Sequence, residues 1–145
     1  MSDLGFTHIA LTARDPGASA AFYARYAEMT VVHDRTDAST GHRVVWLSDG
    51  TRPFVIVLIQ SAEVTPKLDG MAHLGVAVAS REEVDRRCDQ ARSDGREVRG
   101  PFDYGPPVGY WAFIPDTDGH NLEISTDQEI ELAVETAAHP EGLRG

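Results

Sequence analysis

The sequence predicts an α+β protein built from two βαβββ modules that form a curved sheet around a cup, and three observations lead there. The segments FTHIALTA (6–13) and MAHLGVAV (71–78) resemble each other, and their histidines stand 65 residues apart. A helix-start signal follows each segment. Three strand-like runs then follow each helix signal, so one module is written twice along the chain.

The first module covers about residues 5–60 and opens with a strand over Phe6–Ala13. Asp15 is an N-cap candidate and Pro16 suits the first helical position. Phe22, Tyr23 and Tyr26 supply the apolar face of that helix. Runs at Met29–Asp34, His42–Leu47 and Phe54–Ile59 read as strands, the last rich in Val and Ile. Gly41 and the Asp49-Gly50 pair punctuate them.

A linker over residues 61–70, with Pro66 and Gly70, leads to the second module, about 71–127. Its first strand is Met71–Ala79. Ser80-Arg81-Glu82-Glu83 then fits a capping box, in which Ser and Glu side chains serve the unpaired N–H groups of the first turn. Val84, Cys88 and Ala91 mark the buried helix face, and Gly95 is placed to end the helix. Weaker strand signals lie around Glu97–Arg99, Tyr110–Ile114 and Leu122–Ser125, with Asp118-Gly119 as the last hairpin turn. An acidic tail, 128–145, allows a short helix around Ile130–Val134.

The chain has 145 residues, a single-domain length, and a formal net charge of −10. Such a balance repels phosphate backbones and anionic lipid surfaces, so neither nucleic acid nor membrane is an expected partner. No run approaches the ~20 apolar residues of a membrane span. One cysteine, Cys88, cannot make an internal disulfide. The first residues carry no basic stretch followed by an apolar one, so no signal peptide is expected and the expected compartment is the cytoplasm.

Strand alternation gathers the chemistry. Phe6, His8, Ala10 and Thr12 share one face of the first strand, with Ile9 and Leu11 on the helix side. Met71, His73, Gly75 and Ala77 share a face of the fifth, and Asn121, Glu123 and Ser125 a face of the last. A carboxylate in the middle of an apolar strand is costly to bury unless paired or metal-bound. Singly, a strand histidine is more often a packed residue than a ligand. Two repeat-equivalent histidines and a carboxylate together match the His, His, carboxylate set that holds a divalent metal and leaves positions open for substrate. His8, His73 and Glu123 are therefore the candidate ligands, whereas His120, on the opposite face from Glu123, reads as a hairpin residue.

The motifs THIALTA, SAAFYARYAEM, AHLGVAV and PDTDGHNLEIS resemble the glyoxalase/bleomycin-resistance/extradiol-dioxygenase (vicinal oxygen chelate) superfamily over residues 5–127. The resemblance implies paired βαβββ modules around a metal that chelates neighbouring oxygens of a small molecule, and it places His8, His73 and Glu123 at the ligand positions. It further implies a divalent ion (Fe(II), Mn(II), Zn(II) or Ni(II)), a small-molecule substrate and a homodimer.

Within that resemblance, the glyoxalase I branch adds a fourth ligand on the fourth strand. The repeat offset puts Leu58 at that position, or Val57 with a one-residue slip, both apolar. Three ligands rather than four are expected, which points toward a dioxygenase-like metal-dependent enzyme (an oxidoreductase), with a glyoxalase-like lyase or isomerase as the alternative. The positions that hold a His and a Tyr in the dioxygenases hold Tyr104 and Phe113 here, and no potassium-binding loop like that of the fosfomycin-resistance transferases is present. A bleomycin-resistance-like binding protein without catalysis is the reading from another class. The Gly100–Tyr110 segment reads as a stiff substrate loop whose Tyr104 and Tyr110 are candidate catalytic donors. Trp46, Trp111 and Phe113 are candidates for an apolar substrate wall.

Overall fold

The computed structural model describes residues 5–139, which fold as two compact units. One unit runs to His73 and also takes in Pro115–Asn121. The other comprises Leu74–Ile114 and continues from Leu122.

In the first unit the elements are β1 (His8–Ala13), α1 (Pro16–Ala27), β2 (Thr30–Thr36), β3 (Arg43–Ser48) and β4 (Val55–Gln60). They form a sheet of order β1-β4-β3-β2, parallel between β1 and β4 and antiparallel elsewhere. α1 starts as the sequence predicts: the Asp15 carboxylate accepts from the backbone N–H of Gly17 and Ala18, and Pro16 opens the helix. Leu11, Val45, Leu47, Ile56 and Leu58 are buried on the helix side with Phe22, Tyr23 and Tyr26 of α1. His8, Ala10, Trp46, Val55 and Val57 lie on the opposite, open face.

The hairpin Pro115–Asn121 belongs to this unit for a physical reason. Tyr23 donates its hydroxyl to Asp116 Oδ2 at 2.7 Å, while Asp116 Oδ1 accepts from the backbone N–H of Asp118 and His120. Burial, with the Asp116 carboxylate beside it, pushes the Tyr23 phenol up. His120 is fully buried rather than at the surface of its hairpin. Its Nδ1 accepts from the backbone N–H of Leu68 (3.0 Å), so its Nε2 carries the proton and donates to Thr12 O (2.9 Å). The linker is thereby tied down.

The second unit holds β5 (Leu74–Ala77), α2 (Arg81–Ser93), β6 (Arg99–Asp103), β7 (Tyr110–Pro115), β8 (Asn121–Thr126) and α3 (Ile130–Ala138). Its sheet order, β5-β8-β7-β6, repeats that of the first. Val84, Cys88 and Ala91 of α2 are buried, as are Ala112, Ile114, Leu122 and Ile124. Burial pushes the Cys88 thiol up to about 11, against a nucleophilic role.

Four local expectations are revised. β5 is shorter than Met71–Ala79, because the Asn121 side chain, rather than a strand ladder, bonds the carbonyls of Gly70 and Ala72. β6 starts later than Glu97, because Arg96 and Val98 are held in turns by Ala91 O and Arg96 O. The Gly100–Tyr110 segment is accordingly half strand. The capping box is half made: Ser80 Oγ accepts from Glu83 N, while the Glu83 carboxylate turns to Arg86 and Arg87.

Candidate functional site

His8 begins β1 on the open face, exposed, with Nδ1 2.9 Å from Thr7 Oγ1. It lines a cavity of about 490 Å³ with Trp46, Ser48, Arg52, Val55 and Val57. His8 is in register with Val55, Ala10 with Val57, and Val57 in turn with Trp46, which explains why these residues face one space. Trp46 is steadied by His33, whose ring centroid lies 4.7 Å away. Trp46, named with Trp111 and Phe113 as a candidate for an apolar substrate wall, lies here in the first unit. Arg52 in the β3–β4 loop escapes sequence reasoning, since a lone loop arginine carries no periodic signal.

His73 stands just ahead of β5 and is exposed. Its Nδ1 lies 2.7 Å from Met71 O, where a neutral imidazole donates from Nδ1 and keeps its lone pair on Nε2. Metal-ligating histidines commonly have such a carbonyl partner behind the ring.

Glu123 sits in the middle of β8 with only 8% of its surface exposed. It is in register with Gly75, and a Cβ built on Gly75 would come within 2.9 Å of Glu123 Oε2. The missing side chain is what gives the carboxylate its room. Gln128 donates to Oε2 at 3.5 Å. Among the described residues, no group of three or more His, Cys, Asp or Glu is gathered as a metal ion would require.

On β7, Trp111 and Phe113 point away from α2, because Tyr110, one residue before Trp111 and so on the opposite face, reaches Asp85 of that helix. Trp111 is buried, its ring 4.9 Å from those of Phe102 and Phe113 and 5.3 Å from that of Tyr104. Its indole Nε1 is buried without a hydrogen-bond acceptor. Tyr104 is 64% exposed, whereas the Tyr110 hydroxyl donates to Asp85, and this bond pushes the phenol up to about 12.

The model of the Glyoxalase/Bleomycin resistance protein/Dioxygenase superfamily matches residues 5–124. The chain belongs to this superfamily. "Uncharacterized protein PA2024" of Pseudomonas aeruginosa is 32% identical over 129 residues, spanning 86% of this chain and 89% of the relative. A possible glyoxalase from Bacillus cereus superposes with a TM-score of 0.68 at 24% identity, over 85% of this chain and 99% of that one. A mutant of the fosfomycin resistance protein FosX of Listeria monocytogenes, complexed with Mn(II) and a dihydroxypropylphosphonic acid, superposes at 0.70 with 18% identity, over 92% of this chain and 99% of its own. At these identities the structures of superfamily members share the fold with this chain. No helix among the described residues is long and apolar enough to cross a membrane.

Within the superfamily's repeat, the two registers resolve which β4 residue corresponds to Glu123. Gly75 is the repeat equivalent of Ala10, and these residues register with Glu123 and Val57. Val57 is therefore the equivalent, not Leu58, which is fully buried on the helix side. Gln60 lies three residues on and accepts from Arg43 N.

Proposed function

We propose that this chain is a divalent-metal-dependent enzyme acting on an oxygen-rich small molecule, with His8, His73 and Glu123 as ligands. The observation that carries the reading is the carboxylate of Glu123, kept in the middle of a strand over a glycine whose Cβ would collide with it. Two imidazoles and a carboxylate fit Fe(II), Mn(II), Zn(II) or Ni(II). Such an ion supplies Lewis acidity toward a chelating pair of oxygens.

The chain's own residues have separate tasks in this reading. Met71 O orients the His73 ring, and Thr7 steadies that of His8. Trp46, Val55 and Val57 set an apolar flank beside His8. Trp111 and Phe113 form an apolar wall in the second module, where the indole N–H awaits an acceptor. Tyr104 is the better candidate for a phenolic donor, because the Tyr110 hydroxyl is already given to Asp85. With Val57 at the fourth position, the set has three ligands, which favours the dioxygenase-like branch over the four-ligand glyoxalase I pattern. A drug-sequestering protein has no use for the three donors.

The reading includes a homodimer in which the first module of one copy and the second module of the other complete each ligand set. Phe6 (92% exposed), Val32 (55%) and Ile59 (37%) leave apolar surface uncovered in the first unit, which favours a second copy. Anaerobic titration of chelator-stripped protein with each ion should give one ion per chain. The Fe(II) form should consume O₂ with a member of a catechol panel. Absence of binding by all four ions would overturn the proposal, and binding without O₂ uptake would move it to the lyase or isomerase branch.

A further inference from the structure

The cavity over the first sheet carries a substrate class as well as a place. Its volume of about 490 Å³ suits a single metabolite-sized ligand. Val55, Val57 and Trp46 line it with apolar surface, and the His33 ring packs 4.7 Å from the indole. At its edge stands Arg52, whose guanidinium has no carboxylate of the described residues within ion-pair distance. The Asp49 carboxylate acts on it through space but is bonded to Thr51 N and Oγ1.

The loop that presents Arg52 is stiff. Phe54 N donates to Arg52 O at 2.8 Å, closing a turn around Pro53, whose ring fixes its own φ. Val55 N then bonds Thr7 O at 3.1 Å, tying the loop to the start of β1. These bonds fix where the Arg52 side chain leaves the backbone, at the edge of the cavity. Guanidinium and carboxylate match in a two-pronged hydrogen-bonded pair, and flat rings bury well on an indole.

We infer that this cavity takes an aryl carboxylate, with the ring on Trp46, Val55 and Val57 and the carboxylate on Arg52. The inference rests on the proposed function in one respect: His8 lines the same cavity, so the ligand's far end meets a proposed metal ligand. The chain's net charge of −10 works against any anion. A preference for the charged ligand must therefore come from a local cation, and Arg52 is the one lining the cavity.

The test is calorimetric titration of the full, chelator-stripped chain with 2-naphthoate and its neutral isostere 2-naphthamide, repeated with Mn(II) present. The wild type should bind naphthoate about ten-fold tighter than the amide, in line with a charge-assisted pair. Arg52→Gln should erase that preference by weakening naphthoate alone. Trp46→Leu should weaken both ligands, and Arg25→Gln, on α1 outside the cavity, should change neither. Equal affinity for the two ligands, no binding of either, or a preference that survives Arg52→Gln overturns the inference. Because the first titration contains no metal, an Arg52-dependent preference without Mn(II) binding would sink only the metal proposal. Mn(II) binding without that preference would sink only this one.

Discussion

Replacing Gly75 by Ala separates the stability of the second sheet from the service of its carboxylate. The new Cβ would stand 2.9 Å from Glu123 Oε2 and 3.4 Å from Glu123 Cβ. Ordinary contact requires the carboxylate oxygen to retreat by roughly half an ångström. The oxygen is the far end of a flexible side chain, so the move costs little. A strand alanine in place of glycine also recovers about 0.5–1 kcal/mol of backbone entropy. Urea unfolding in chelator should therefore place Gly75→Ala within about 1 kcal/mol of the wild type. Metal ligation tolerates displacements of only about 0.2 Å, so affinity for Mn(II) or Zn(II) should fall about 10–100-fold by calorimetry. A variant of normal stability and unchanged affinity would refute Glu123 as a ligand held in place by the glycine.

Other perturbations test other parts of the account. Tyr23→Phe removes the 2.7 Å hydrogen bond to buried Asp116 and should lower unfolding free energy by about 1.5–3 kcal/mol; no loss would mean the bond contributes nothing. The Glu83 carboxyl is held down to about 2 by its hydrogen bonds to Arg86 and Arg87. A folded value below the unfolded one gives stability that is complete above about 4.5 and lost as pH falls toward 2. Glu83→Gln should thus cost about 0.5–1 kcal/mol at pH 7, and the difference should shrink on acidification; a difference that grows would contradict it. Mixing His8→Ala and Glu123→Ala subunits under reversible dissociation should restore part of the metal binding, since one hybrid site carries both lesions and the other neither. No recovery, with hybrid formation confirmed, would place every site within one chain.

Where backbone periodicity governs, the fold was legible in the sequence. Alternation along β1 put His8 and Thr12 opposite Leu11, and Asp15-Pro16 announced α1, because period and capping are local properties. What depended on distant partners was not legible. Counting along the repeat put Leu58 opposite Glu123, whereas strand register gives Val57, since a repeat offset does not reveal a one-residue change in loop length. His120 is the hairpin residue its sequence position implies, but its burial was not legible, because Leu68 N and Thr12 O, far away in sequence, use both its ring nitrogens. Glu83 left its capping box because two arginines outcompete one backbone N–H. Of the candidate site, the sequence marked His8, His73 and Glu123 by face and residue type, and Trp46 by residue type alone. The clearance at Gly75 and the cation at Arg52 emerged only in three dimensions.

The comparison of His73→Ala with His120→Ala tests most directly whether His8, His73 and Glu123 hold a metal. Both changes remove one imidazole, but only the first removes a proposed donor. Titration of the folded variants with Fe(II), Mn(II) and Zn(II) should show affinity falling sharply in His73→Ala. In His120→Ala it should stay near the wild-type value, even though the loss of two buried hydrogen bonds lowers stability. Equal loss of affinity in the two variants, or none in His73→Ala, would contradict the ligand assignment.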